Sequence, residues 1–246
     1  MLRVESLEEA EAASKAGIDM ASAPEALVAH RSFRDAAPDL FTVIGEDFWV
    51  AGHGHDYIRW AYKAYSTGAD AVYCCASPKT IGLMTDDGLP VCGHLGLIPQ
   101  KMTWTGGFKA VGKDLPTAEL LVDQLRQLET AGAFAAEVEV VPGEVARVLT
   151  ENTDILMISM GSGDGCDGQY LYTCDVLGEN TGHVPRHSKV YRNFAAERQR
   201  LQESRIEAFK EYRSDVIQGK YPEPRHVVGS DPEISLQVVE LLKKDR

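Results

Sequence analysis

The chain has 246 residues, of which 44% are hydrophobic and 25% charged, which is typical of a globular protein with an apolar core. This length suits a single barrel or one large α/β domain. The formal net charge of −12 argues against a nucleic-acid partner, because proteins that bind phosphate backbones present basic surfaces.

Targeting segments and disulfides are not expected. The N-terminal stretch has no basic segment followed by an apolar core, and nowhere do 18 apolar residues run together. We therefore expect no secretion signal and no membrane span. The five cysteines have no repeated CxxC spacing, which predicts free thiols and a cytoplasmic location.

Short apolar runs alternate with amphipathic stretches along most of the chain, a pattern typical of βαβ units. Eight such runs are predicted strands: residues 2–5, 18–23, 40–45, 71–75, 90–94, 134–141, 155–160 and 169–173. Eight strands separated by helices predict an α/β fold, a closed (β/α)8 TIM barrel.

The stretches between these strands carry helix signals. Residues 6–17 begin at a serine cap, residues 55–68 at His55 or Asp56, and residues 142–152 at a proline; residues 117–132 have apolar positions at helical spacing. A long polar helix, 195–219, and a tail helix, 231–244, follow. We expect one domain over 1–246, with 195–246 packing on the barrel as C-terminal helices.

Two polar residues lie where a barrel carries its chemistry, at the carboxyl ends of strands. His94 ends the fifth predicted strand between Gly93 and Gly96, which we expect to let backbone and ligand approach closely. Glu139 lies between two valines that should face the helices, so its side chain should point into the barrel. A buried carboxylate there is a candidate general base, although an ordinary structural role stays open for both residues.

Five segments within residues 89–194 resemble, in order, the motifs of the ketopantoate hydroxymethyltransferase family: "LPVCGHLGLIPQ", "GGFKAVGK", "AGAFAAEVEVVP", "GSGDGCDGQYLYTCDVLG" and "GHVPRHSKVYRNF". That family belongs to the phosphoenolpyruvate mutase and isocitrate lyase superfamily of (β/α)8 barrels. The resemblance implies transfer of a one-carbon unit from 5,10-methylenetetrahydrofolate to 3-methyl-2-oxobutanoate, a step of pantothenate biosynthesis. It also implies Mg²⁺ as cofactor and assembly into a homo-oligomer.

The resemblance assigns roles to three residues. Glu139 matches the proton-accepting glutamate, His94 matches a histidine that contacts the oxo acid, and Lys109 lies in a glycine-rich loop that would cover an anionic ligand. In the family, the metal and the substrate are held by an aspartate after strand two, an aspartate after strand three and a Lys-x-Glu pair on strand four.

The N-terminal third departs from that pattern. Glu25 stands near the first aspartate, Gly45 takes the place of the second unless the loop shifts to Glu46 or Asp47, and Tyr73 and Cys75 replace the Lys-x-Glu pair. We predict that Glu25 with Glu46 or Asp47 binds a divalent ion, although a thiol suits Mg²⁺ poorly.

Two other arrangements stay open for this site. A zinc site would use histidine and thiolate ligands, drawn from His53, His55, Asp56 and Cys75. A metal-free site would hold the oxo acid with Tyr73 and His94.

Three functions are compatible with these residues. The first is a hydroxymethyltransferase that forms the enolate of a 2-oxo acid and adds a one-carbon unit. The second is a C–C lyase or aldolase of the wider superfamily, which uses the same enolate without folate. The third is a non-catalytic paralogue that binds a metabolite or a protein.

Overall fold

The computed structural model describes residues 1–45 and 53–244. Its strands form one sheet in which every neighbouring pair is parallel, in the order β8-β7-β6-β5-β4-β3-β2-β1-β9. The described strands are β1 (Leu2–Arg3), β2 (Met20–Ala23), β3 (Phe41–Gly45), β4 (Ala71–Tyr73), β5 (Val91–Gly96), β6 (Ala135–Glu139), β7 (Leu156–Met160), β8 (Gly168–Gln169) and β9 (Leu171–Tyr172). Each of the eight predicted runs contains strand residues.

The last predicted strand closes the barrel in two pieces. β8 pairs with β7 through Ile158 and Gly168, and β9 pairs with β1 through Leu2 and Leu171. Between them the backbone N–H of Tyr170 donates to Ser159 O at 2.8 Å. Residues 168–172 therefore join the two edges of the sheet, and the predicted (β/α)8 barrel is confirmed.

Helices follow most strands, and local capping residues define where several of them begin. The helices of the barrel are α1 (Leu7–Lys15), α2 (Glu25–Val28), α3 (Phe33–Ala36), α4 (Gly54–Tyr65), α5 (Pro78–Asp86), α6 (Met102–Thr105), α7 (Leu115–Thr130), α8 (Gly143–Thr150) and α9 (Thr173–Val176). Ser6 caps α1 as predicted. His53 caps α4 by accepting from the His55 N–H, so the expected cap at His55 or Asp56 was wrong by two or three residues.

Two apolar clusters lie on opposite sides of the sheet. The larger one fills the space between the strands and the helices, with Leu95, Leu121 and Leu128 among its buried members. The smaller one lies inside the barrel and consists of Cys92, Ala135, Ile158, Met160 and Tyr170, which share the inward face with the polar residues described below. The barrel interior is thus a packed core over part of its length.

Residues Phe194–Arg246 form a separate compact unit from Met1–Asn193. This unit contains the two predicted helices, α10 (Phe194–Ile217) and α11 (Pro232–Lys244), and α10 has no buried residue. That these helices pack on the barrel stays a prediction. All five cysteines are free, and none of the helices in the described ranges has the length and apolar character that crossing a membrane requires.

Candidate active site

A cavity of about 1020 Å³ opens at the carboxyl ends of the barrel strands. Its wall includes Arg3 from β1, Ser22 from β2, Gly45 from β3, Tyr73 from β4 and Glu139 from β6. Residues 183–188, which follow α9, contribute to the rim. The cavity therefore lies where (β/α)8 barrels carry their reactive groups.

His94 lies within β5, two residues before the end of that strand, and both of its ring nitrogens have partners. Nδ1 lies 2.7 Å from the Tyr73 hydroxyl and 3.4 Å from Cys75 Sγ. Nε2 lies 2.7 Å from Leu97 O and 3.2 Å from Glu139 Oε2. The structure therefore brings together three residues that the sequence predicted for the site, His94, Tyr73 and Glu139.

The two glycines that flank His94 serve packing rather than the close approach of a ligand that we expected. A Cβ on Gly93 would lie 2.7 Å from the Leu128 side chain of α7. A Cβ on Gly96, which has φ +93°, would lie 2.4 Å from the backbone oxygen of Glu139. Gly96 therefore lets β5 approach the end of β6 and holds Glu139 beside His94.

Glu139 is accompanied by a second carboxylate that the sequence analysis missed. Glu139 ends β6 with 13% of its side chain exposed, and Glu137 is 2% exposed on the same face of that strand, opposite His94. Side chains two residues apart on a strand share a face. The inward orientation predicted for Glu139 was therefore enough to predict Glu137 as well.

Val140, which follows Glu139, has φ +50° and lines the cavity, so the expectation that it faces the helices was wrong. A β-branched residue rarely adopts a positive φ, because its Cβ crowds the backbone. The N–H of Val140 donates to Met160 O at 2.9 Å, which fixes the strained turn to the end of β7. Backbone strain of this kind is found at functional sites, and here it lies next to Glu139.

The buried groups perturb one another's ionisation. Burial alone lowers the pKa of His94, but its electrostatic interactions with Cys75 and Glu137 and the hydrogen bonds that its ring makes to Cys75 and Glu139 outweigh burial and raise that pKa well above its ordinary value. Burial and the charge of Glu137 also raise the pKa of Tyr73. Burial raises the pKa of Glu137 as well, with His94 acting in the opposite direction. The site thus favours a protonated imidazole beside two carboxyl groups.

One group of potential metal ligands occurs among the described residues, His94, Glu137 and Glu139, whose donor atoms all lie within 4.8 Å of one another. The predicted zinc ligands His53, His55, Asp56 and Cys75 do not form such a group among the described residues. Glu25 forms an ion pair with Lys63 at 2.8 Å and is not part of the described cavity wall, and Glu46 and Asp47 lie outside the described residues.

The described residues fit Zn²⁺ better than Mg²⁺. Ser22, Gly45 and Tyr73 at the ends of β2, β3 and β4 offer no carboxylate for Mg²⁺, which prefers several oxygen ligands. An imidazole with two carboxylates suits Zn²⁺, although His94 Nε2 would have to give up its bond to Leu97 O.

The predicted loop residue Lys109 is not among the described residues of the cavity wall. Its neighbour Phe108 is, with 69% of the residue exposed. The sequence analysis also missed Arg3, which reaches the wall from β1.

Comparisons with known proteins agree with this geometry. The model of the ketopantoate hydroxymethyltransferase family matches residues 48–224. The chain is 35% identical over 210 residues to the 3-methyl-2-oxobutanoate hydroxymethyltransferase of Kosmotoga olearia, covering 84% of this chain and 76% of that protein. It is 40% identical over 207 residues to the enzyme of the same name from Thermotoga neapolitana, covering 82% and 74%.

Solved structures support the fold. The structure of a putative phosphonomutase from Burkholderia cenocepacia J2315 matches this chain with a TM-score of 0.53 at 11% sequence identity. The match covers 69% of this chain and 84% of that one. At this identity the likeness concerns the barrel alone.

Proposed function

The chain belongs to the ketopantoate hydroxymethyltransferase family, and we propose that it is a one-carbon transferase that adds a hydroxymethyl group to the α-carbon of 3-methyl-2-oxobutanoate or a closely similar 2-oxo acid. The observation that carries this proposal is the position of Glu139, a cavity-lining carboxylate held 3.2 Å from His94 of the neighbouring strand.

The first step is proton transfer. The ketone of a 2-oxo acid acidifies the proton on its α-carbon, and Glu139 accepts that proton as a general base. Negative charge then develops on the ketone oxygen. The Tyr73 hydroxyl and the positive charge of a protonated His94, 2.7 Å apart, stabilise this enolate oxygen.

The second step forms the carbon–carbon bond. Water adds to the methylene carbon of 5,10-methylenetetrahydrofolate, and both of its C–N bonds break to leave tetrahydrofolate and formaldehyde. The enolate carbon attacks the formaldehyde carbon, and the formaldehyde oxygen takes the proton held by Glu139 to give the hydroxymethyl product. Two observations support a folate co-substrate. The cavity of about 1020 Å³ is larger than a small 2-oxo acid needs, and the exposed Phe108 offers a ring face to a pterin.

A divalent ion, where bound, would be held by His94, Glu137 and Glu139, whose donor types favour Zn²⁺ over Mg²⁺. It would supply Lewis-acid polarisation of the ketone. The proton transfer described above applies to the site without an ion, because an ion would require His94 to lose its proton and would occupy the carboxylate of Glu139.

The experiment is α-proton exchange. The protein is incubated in D₂O with a panel of 2-oxo acids, with and without Mg²⁺ or Zn²⁺, and loss of the α-proton signal is followed by NMR. We expect exchange with 3-methyl-2-oxobutanoate or a close analogue, and a decrease of about 10²–10⁴-fold in Glu139→Gln. The matched control is Glu144→Gln, because Glu144 is exposed on α8.

Exchange that persists in Glu139→Gln would contradict the assignment of the base, and the absence of exchange with every acid would contradict the function. Adding 5,10-methylenetetrahydrofolate then tests the second step. Formation of a hydroxymethyl product is expected, and exchange without product would favour a lyase.

We also propose that the chain acts as a homo-oligomer in the cytoplasm. Phe209, Tyr212 and Ile217 of α10 are exposed apolar residues, and the free cysteines suit a reducing compartment. Light scattering at micromolar concentration should give a mass above that of one chain, and a monomer would contradict the proposal.

A further inference from the structure

The wall formed by β1 to β4 contains a partly buried cation, Arg3. Its side chain is only 15% exposed, and its Nε donates to Glu5 Oε1 at 2.6 Å. Nη1 donates to Ser22 Oγ at 3.3 Å. Ser22 also bonds the buried Tyr170, so the guanidinium is oriented from two sides. Among the described residues, none accepts a hydrogen bond from Nη2.

The absence of a side chain at Gly45 lets Arg3, Ser22 and Tyr73 approach one another. A Cβ at Gly45 would lie 3.3 Å from Tyr73 Cδ1, 3.5 Å from Ser22 Oγ and 3.6 Å from Arg3 Nη1, so a side chain there would crowd all three groups. The guanidinium, the hydroxyl and the aromatic ring thus meet on one part of the cavity wall.

The charge of the cavity explains why this cation matters. Its described wall carries four acidic residues, Glu5, Glu137, Glu139 and Asp175. An anionic ligand entering it is repelled unless a fixed positive charge receives it. The described wall residues include two arginines and no lysine, and of the two Arg186 is exposed on the rim whereas Arg3 is partly buried.

We propose that Arg3 binds the carboxylate of the substrate, with the ligand's carboxylate in the part of the cavity lined by Arg3 and Ser22 and the adjacent ketone oxygen at Tyr73. Ser22 and Glu5 position the guanidinium, which presents Nη1 and Nη2 to the two carboxylate oxygens. The chain thereby supplies its own cation at the ends of the strands where the family resemblance implies a metal. The identity of the ligand as a 2-oxo acid rests on the proposed function.

The test is direct binding without turnover. Calorimetric titration with 3-methyl-2-oxobutanoate and with its amide, which has the same shape and no charge, is carried out on the wild-type protein, Arg3→Met and Arg3→Lys. We expect the wild type to prefer the acid over the amide by about 100-fold, since a buried charge pair is lost with the amide. Arg3→Met should abolish this preference, and Arg3→Lys should retain part of it, with about tenfold weaker binding because lysine lacks the planar fork.

Two arginine variants serve as comparisons. Arg31→Met removes an exposed arginine away from the cavity wall and should leave the preference unchanged. Arg186→Met removes the rim arginine, and loss of the preference there but not in Arg3→Met would overturn the proposal. Equal binding of acid and amide by the wild type would overturn it as well, and so would failure of the wild type to bind either ligand. Because these readouts need no turnover, a protein that binds the acid through Arg3 but shows no proton exchange would separate this inference from the proposed function.

Discussion

The two halves of the barrel wall carry different kinds of side chains around one cavity. β5 and β6 contribute His94, Glu137 and Glu139, a compact group of titratable residues whose donor atoms lie within 4.8 Å of one another. β1 to β3 contribute Arg3, Ser22 and Gly45, a permanent cation and a hydroxyl that the absence of a side chain at position 45 brings close to Tyr73. The first set can move a proton and the second can hold an anion. The site is thus divided between a proton-transfer half and a binding half, with Tyr73 of β4 joining them.

The largest effect is expected from a substitution that disturbs the geometry of the proton-transfer half. Gly96→Ala places a Cβ 2.4 Å from Glu139 O at φ +93°, so we expect a loss of about 3–5 kcal/mol in the free energy of unfolding from strain and overpacking. Gly17→Ala is the control, because Gly17 has φ +74° and nothing within 4 Å of the added Cβ. It should cost about 1 kcal/mol. Urea denaturation measures both, and equal losses would show that the contact with Glu139 is unimportant.

The next effect is expected from a side chain at position 45 of the binding half. Gly45→Asp puts a carboxylate next to the Arg3 guanidinium, where it competes with the substrate, and we expect about 100-fold weaker binding of the 2-oxo acid. Gly45→Asn has the same shape without the charge and should bind the acid better than Gly45→Asp. Calorimetry on both variants tests this, and identical affinities would point to steric exclusion alone.

A smaller effect is expected at Glu137. Glu137→Gln removes a carboxyl group opposite His94, which should lower the pKa of His94 and slow α-proton exchange about tenfold, because less positive charge stabilises the enolate. NMR titration of the His94 ring measures the pKa and D₂O exchange measures the rate. An unchanged His94 titration would show that Glu137 does not act through the imidazole.

Stability should depend on pH through His94. The pKa of His94 in the folded protein is well above its ordinary value, so the folded state keeps a proton that the unfolded chain releases above about pH 6.5. The stabilisation is complete below that pH and is lost as the pH rises through the raised pKa, with a slope of at most about 1.4 kcal/mol per pH unit. Urea midpoints of His94→Gln should vary less over this range, and parallel curves for wild type and variant would contradict the assignment.

The smallest effect concerns the strained turn. Val140→Gly relieves φ +50°, and we expect the free energy of unfolding to rise by about 1 kcal/mol or less. Exchange should slow about fivefold, because a glycine holds the adjacent Glu139 less firmly. Urea denaturation and D₂O exchange on the same sample show whether stability and activity separate. A variant that is less stable and equally active would show that the turn serves packing only.

The two halves also differ in how far the sequence predicts them. The apolar runs predicted all eight strands of the barrel. The inward side chain predicted for Glu139 is confirmed, although of the two flanking valines only Val138 packs on the helix side as expected. Glu137 was missed although the two-residue period of the strand was sufficient to find it. The positive φ of Val140 leaves no signature in a β-branched residue and could not have been predicted.

Arg3 was missed for a different reason. It lies on a two-residue strand, and its surroundings come from the register of β1 against β2 and from the packing of Gly45 against Tyr73. These contacts join positions about 20 to 40 residues apart, which local patterns do not specify. Metal ligands were therefore predicted in this half of the wall, where the structure shows a guanidinium.

The most direct measurement compares Glu139→Gln and Arg3→Met in two assays on the same preparations, calorimetric binding of 3-methyl-2-oxobutanoate and its α-proton exchange in D₂O. If the two halves divide the work as proposed, Glu139→Gln binds the acid with affinity close to the wild type and does not exchange its proton. Arg3→Met binds it about 100-fold more weakly but, at saturating acid, exchanges the proton at a rate near that of the wild type. Variants that both lose binding and exchange in the same proportion would contradict the division.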